Sequence, residues 1–195
     1  MKDARCKGNT SWGLSTCGAV LQFGLIFFDG QQALTLNTIN EDDEMAGLFF
    51  EDFEEGKVYD HEVRRTVSEY DNTMFSCLTM NTQPLHIDEE FAKNSIYGQR
   101  IVNSMFTLAL VVGVQVTELT LGTTLGNLGM TDVAFPRPVF HGDTIRSRTT
   151  VLDKRISKSR NDSGIVNFLH EGFNQRDELV ATVKRTALMK VKSPA

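Results

Sequence analysis

Between Met105 and Val116 the chain places Met105, Phe106, Leu108, Ala109, Leu110, Val111, Val112, Val114 and Val116. At the helical period these apolar residues cover every side of a helix, and a helix apolar all round is expected to be buried all round. About a dozen residues fall short of the roughly 20 that a membrane crossing needs, so the cover must come from the rest of the chain. Asn103 or Ser104 caps the helix start. The N–H groups of its first turn have no partner inside the helix and carry partial positive charge. They can hold an anion or a polarised carbonyl oxygen.

The flanking sequence supplies the cover as strands. Tyr59, His61, Val63, Arg65 and Val67 alternate with a second set, which predicts a strand with His61 exposed or half buried. Ser68-Glu69-Tyr70-Asp71 has the form of a helix N-cap with an acidic third position. It opens a helix from Glu69 to Thr79, with Tyr70, Met74, Phe75, Cys77 and Leu78 on one face and Cys77 therefore expected in the core. Asp88 to Lys93 makes a short helical turn that starts on acidic residues. After the apolar helix, strands are expected over Leu128 to Phe135, around Ile145 to Val151, over Ile165 to Phe173, and over Leu179 to Lys192. In the second of these, Ile145, Ser147, Thr149 and Val151 alternate with Arg146, Arg148 and Thr150. One strand, helices, then four strands imply an α+β domain in which an antiparallel sheet wraps around the long helix.

The first 44 residues read differently. Lys2, Arg5 and Lys7 precede an apolar run from Leu14 to Phe28 that is diluted by glycines, and a polar acidic stretch from Asn37 to Asp43 follows. Residues 1–44 are expected to form a poorly ordered extension and 45–195 the working domain. A net charge of −5 and a pI near 5.4 argue against general affinity for nucleic acid or an anionic membrane. Cys6, Cys17 and Cys77 make no paired motif and His61, His86, His141 and His170 lack zinc spacing. No metal is expected, and an odd cysteine count fits a reducing, cytoplasmic compartment.

The chemistry-bearing stretch is Leu78-Thr79-Met80-Asn81-Thr82-Gln83-Pro84-Leu85-His86-Ile87-Asp88. Pro84 is expected to stop the preceding helix, because it lacks an N–H and pushes Gln83 towards an extended conformation. Leu85 and Ile87 hold the His86 imidazole in a partly apolar place. A turn here can fold Asn81 and His86 towards one another. The same residues also fit a purely structural role, with His86 a satisfied histidine and Asn81 a helix-ending cap.

Thr79 to His86 resembles the hydratase motif of the MaoC-like dehydratases, which include the (R)-specific enoyl-CoA hydratases of hot-dog fold. In that family an S-G-D-x-N-P-x-H run precedes a buried helix starting near H-G-M, and a P-V-x-x-G-D-T strand entry follows. Ile101 to Phe106 sits where the helix start belongs, and Pro138-Val139-Phe140-His141-Gly142-Asp143-Thr144 matches the third element. The resemblance covers about Phe49 to Lys192. It implies a hot-dog fold and addition of water to a 2-enoyl-CoA thioester, or the reverse, with no cofactor besides the CoA carried by the substrate. It further implies a homodimer or higher homo-oligomer.

Carried over, His86 is the acid–base group and the Ser104 N–H the donor to the thioester carbonyl. Asn81 stands at the family aspartate, where a carboxamide can orient water but cannot accept its proton. Asn103, Ser104 and Gln83 also depart from the family residues and are expected in the substrate site. The N-T-Q-P-L-H form resembles the mesaconyl-CoA hydratase and β-methylmalyl-CoA dehydratase branch, for which Arg100 is a candidate partner of a second carboxylate. The alternative reading is a non-catalytic acyl-thioester-binding hot-dog protein.

Overall fold

The computed structural model describes residues 47–192. The expected extension over residues 1–44 lies outside that range, as do Cys6 and Cys17. The elements are β1 (Val58–Thr66), α1 (Glu69–Leu78), α2 (Pro84–Ile87), α3 (Glu89–Lys93), α4 (Ser104–Val114), β2 (Thr124–Ala134), β3 (Thr144–Ile156), β4 (Ser163–Phe173) and β5 (Leu179–Lys190). A 3-10 turn at Phe50–Asp52 precedes β1, and a π-helical turn at Val116–Thr120 follows α4. The five strands form one antiparallel sheet in the order β1-β3-β4-β5-β2. Helix α4 packs on β3, β4 and β5, so the expected α+β arrangement of sheet around helix is the one observed.

The alternation in β3 is observed as read: Ile145, Ser147, Thr149 and Val151 are buried. They share the inner face with Val166, Phe168, His170 and Gly172 of β4. One core cluster joins Val111 of α4 to Ile145, Val180 and Ala181 of the sheet. A second joins Phe50, Phe53 and Leu119 to Phe168 and Met189, with the Phe53 and Phe168 rings edge to face at 5.2 Å. Helix and sheet approach closely at Gly172, where an added Cβ would lie 2.3 Å from Cγ2 of Val111.

Four expectations are corrected. Helix α4 is not buried all round: Met105 is 50% exposed, and Ala109 and Gly113 are also open, because the single sheet covers one side only. Helix α1 is turned over: Tyr70, Met74, Leu78 and Cys77 are exposed, while Asn72 and Ser76 face inward. Periodicity identified the apolar stripe but not which side of the helix meets the protein. His61 is buried, bonded through Nδ1 to Glu118 and through Nε2 to Thr149 Oγ1. Strand β2 starts at Thr124, earlier than expected, because pairing with Met189 carries the ladder through Gly126 and Asn127.

The sheet edges differ. Strand β1 carries Asp60, Glu62, Arg64 and Arg65, and its register with β3 breaks between Asp60 and Arg64. The other edge, β2, exposes Leu125, Leu128, Met130 and Val133. Among the described residues no helix is long and apolar enough to cross a membrane.

Candidate functional site

The site is assembled where α1, α2 and the start of α4 meet. Helix α1 begins with a capping box, in which Ser68 Oγ accepts the Asp71 N–H and Asp71 Oδ2 accepts the Ser68 N–H. It ends in a Schellman arrangement: the Asn81 N–H donates to Ser76 O at 2.9 Å and the Met80 N–H to Cys77 O at 3.1 Å. Met80 takes the left-handed conformation this requires, at φ 59°. The helix therefore stops before Pro84 is reached. Proline instead opens α2 at its first position, where its missing N–H costs nothing. This corrects the expectation that Pro84 ends α1.

Helix α2 delivers His86 into the protein, 8% exposed. Its Nδ1 lies 3.0 Å from Ile101 O. A carbonyl only accepts, so Nδ1 carries the proton, and in the neutral ring Nε2 is the basic atom. No group among the described residues engages Nε2. At α4, Asn103 is the cap: its Oδ1 accepts the Met105 N–H at 3.0 Å, and its Nδ2 reaches Ser76 Oγ at 3.3 Å. Among the described residues the Ser104 N–H has no hydrogen-bond partner. It opens at the positive end of α4 beside a cleft of about 310 Å³ lined by Tyr97, Ser104, Thr107, Phe135 and Arg137 among others.

His86 is tied to the start of α4 indirectly: Ile101 O meets its Nδ1, and Asn72 bonds both that carbonyl and the Asn103 N–H, while His86 is not among the residues lining the cleft beside Ser104. The structure does not hydrogen-bond Asn81 to His86. Asn81 is exposed and its Oδ1 accepts the Gln83 N–H at a long 3.4 Å, while Gln83 accepts the His86 N–H at its carbonyl and is itself exposed. Arg100 is clasped by two carboxylates, Nε to Glu89 at 2.8 Å and an Nη to Glu69 at 2.7 Å. The hydrogen bonds Arg100 donates to Glu89 and Glu69 raise its pKa above the ordinary arginine value, and Arg100 holds the Glu69 carboxyl below the usual range.

Sequence reasoning missed Asn72 and the role of His141. The Asn72 side chain is completely buried, and its Nδ2 contacts His141 Nε2 at 2.9 Å. Burial, and after it the nearby Arg100 guanidinium, pushes the His141 imidazole below its ordinary pKa. The available signal was the pair Asn72 and Ser76, one helical turn apart and opposite the apolar stripe. Among the described residues no group of three His, Cys, Asp or Glu side chains is placed to hold a metal.

Residues 52–172 match the family model of the MaoC like domain. The chain is similar to a mesaconyl-CoA hydratase of Cereibacter sphaeroides, 31% identical over 150 residues that cover 77% of this chain and 43% of that protein. It is 28% identical over 148 residues to a β-methylmalyl-CoA dehydratase of Chloroflexus aurantiacus, covering 76% of this chain and 42% of the relative. A shorter relative, an (R)-specific enoyl-CoA hydratase of Rhodospirillum rubrum, is 32% identical over 113 residues, 56% of this chain and 73% of the relative. The chain thus spans less than half the length of the first two. Among solved structures, a monoamine oxidase regulatory protein from Archaeoglobus superposes with a TM-score of 0.68 at 36% identity, covering 75% of this chain and 97% of that one. A Mycobacterium tuberculosis protein with a double hotdog fold gives a TM-score of 0.68 at 20% identity over 76% of this chain and 47% of that one, a likeness of fold alone.

Proposed function

This chain belongs to the MaoC-like domain family and has its hot-dog fold, and from that premise we propose that it is a hydro-lyase acting on a 2-enoyl-CoA or 3-hydroxyacyl-CoA thioester. The observation that supports the reading is the His86 ring, fixed by its Nδ1 bond to Ile101 O with Nε2 left as the acceptor, on a carbonyl three residues before the open Ser104 N–H at the start of α4. In hydration, water oxygen bonds to C3 of the enoyl chain while its proton passes to Nε2. The charge that develops on the thioester oxygen is held by the Ser104 N–H and the α4 dipole. The imidazolium then returns the proton to C2, and dehydration runs the same steps backwards. Asn81 orients the water from the exposed turn and takes no proton.

The relatives' names support a short branched or dicarboxylic acyl group. Arg100 remains the candidate for a second carboxylate, and must release Glu69 or Glu89 to bind one. A homodimer fits the uneven sheet edges: the charged, irregular β1 resists pairing, while β2 and the outer side of α4 leave apolar surface for a second copy. Sedimentation of only a 21.8 kDa species at micromolar concentration would count against it. The alternative, a thioester binder without catalysis, is favoured by the exposed carboxamide of Asn81 in place of a carboxylate. Incubation with crotonyl-CoA or mesaconyl-CoA separates the two: loss of enoyl absorbance supports the hydro-lyase, and binding by calorimetry with unchanged absorbance supports the alternative.

A further inference from the structure

We propose that Asn72 is the positioning residue of this site, holding His86 and the open end of α4 in one frame and keeping His141 uncharged. Its effect on rate rests on the hydro-lyase reading; its effect on the histidines does not.

The amide is read without ambiguity from its partners. Asn72 Oδ1 accepts the Asn103 N–H at 2.8 Å. Nδ2 donates to His141 Nε2 at 2.9 Å and to His86 O and Ile101 O at 3.1 Å each. The Asn103 N–H can only donate and the two carbonyls only accept, so the oxygen and nitrogen cannot be exchanged. Two hydrogens serve three acceptors, so one is shared, and the shortest contact is the one to the imidazole. Ile101 O is also the acceptor that fixes the His86 ring through Nδ1. A single buried side chain therefore touches the His86 backbone, the carbonyl that orients His86, and the residue immediately before Ser104. A displacement of Asn72 moves the base and the oxyanion donor relative to one another.

The same amide sets the state of His141. A donor at Nε2 demands a lone pair there, so the proton sits on Nδ1 and the ring is neutral. Of the charged groups around it, Arg100 opposes protonation, as burial does, while Glu69 and Glu89 favour it. Asn72 tips the balance to the neutral ring and keeps a second imidazolium away from His86.

A side chain that only filled space would not set the protonation of the His141 Nε2 it touches. Asn72→Asp keeps the shape and the acceptor for the Asn103 N–H, but replaces the donor with an oxygen facing two carbonyls and Nε2. An ionised oxygen there favours a proton on His141 Nε2, reached by a change of tautomer or by double protonation. In the wild-type chain, nitrogen-15 NMR of the imidazoles should show His141 neutral with its proton on Nδ1, and in Asn72→Asp Nε2 should be protonated. Both Asn72→Asp and Asn72→Ala should lower kcat on the order of 10²-fold, as misplacement by about 1 Å does, with KM changed by less than about threefold and circular dichroism intact. If Asn72→Ala fails to fold, the Asp variant and the wild-type tautomer carry the test. A His141 with Nε2 unprotonated in Asn72→Asp, a wild-type His141 protonated on Nε2, or unchanged kcat in a folded Asn72→Ala overturns the proposal. Absence of any hydration by the wild-type chain overturns the hydro-lyase reading instead, and leaves the tautomer result standing.

Discussion

The close approach of α4 to the sheet at Gly172 can be tested with one methyl group. In Gly172→Ala the new Cβ falls 2.3 Å from Val111 Cγ2, where ordinary contact is 3.4–4 Å. The helix must retreat by more than 1 Å or Val111 must leave its rotamer, and a β-branched side chain in a helix has one strongly preferred well. Overpacking of this kind costs about 1–3 kcal/mol. At roughly 2–4 °C per kcal/mol for a chain of this size, Tm should fall by about 2–12 °C. Val111→Ala alone removes two buried carbons and leaves a cavity, costing about 2 kcal/mol. In the double variant the methyl added at position 172 fills part of that cavity, so the two costs should fail to add by about 1–2 kcal/mol in the direction of rescue. Retreat of α4 also carries the Ser104 N–H away from His86, so kcat should drop on the order of 10²-fold in Gly172→Ala and recover partly in the double variant. Urea unfolding of the four proteins measures the cycle. An unchanged midpoint for Gly172→Ala, or strictly additive costs in the double variant, would refute the claim that this contact sets the height of the helix.

His86→Ala should lose about 10²–10⁴-fold in hydration rate with little change in substrate binding, whereas Asn81→Asp should raise hydration of a simple enoyl-CoA; full activity without His86, or activity destroyed by Asn81→Asp, sinks the assigned roles. Met80→Gly should stabilise, because a left-handed residue with a side chain costs roughly 1–2 kcal/mol and the unfolded-state freedom of glycine takes back about 0.5–1; a lower melting temperature would show that the Met80 side chain contributes in the folded state. His170, bonded through Nδ1 to Thr149 Oγ1, is pushed by burial, then by Arg185 and His61, down to about 3. The unfolded chain takes up this proton below its ordinary value near 6.5 and the folded chain does not until about pH 3. The contribution is therefore complete above pH 6.5 and falls by about 1.4 kcal/mol per pH unit as pH drops towards 3. His170→Asn, which keeps an N–H for Thr149 and cannot titrate, should flatten the stability curve between about pH 6 and 4, and an unaltered slope would place the acid sensitivity elsewhere.

Local chemistry made some features legible in the sequence. The Ser68–Asp71 box, the alternation from Ile145 to Val151 and the apolar run of α4 each follow from rules that act over a few residues, and each is present. What the sequence hid depends on which side of an element meets the protein. The stripe of Tyr70, Met74 and Leu78 was visible, yet the interior of α1 is Asn72 and Ser76, because their partners come from Asn103, His141 and two carbonyls far along the chain. His61 was hidden in the same way, since Glu118 and Thr149, which satisfy it, belong to other elements. Around the candidate site, the burial of His86 was legible from its apolar neighbours Leu85 and Ile87. The carbonyl that sets its tautomer was not, because Ile101 reaches it only through tertiary folding.

The strand order has a consequence for how the chain is made. Strands β3, β4 and β5 are neighbours in sequence as well as in the sheet, whereas β1 reaches forward to Thr150 and β2 to Met189. Contacts between near neighbours close early and distant ones late, since loop closure must come before they form. On the ribosome, α4 is complete before the first residue of β3 exists. The most apolar segment of the domain must wait for the three strands that cover it. Until β5 has been made, the growing chain carries an incompletely covered apolar helix, and that interval is when aggregation or capture by a chaperone competes with folding. A chain ended after β4 keeps the helix and lacks the strand that carries Val180, Ala181 and Val183, so it should be recovered in the insoluble fraction.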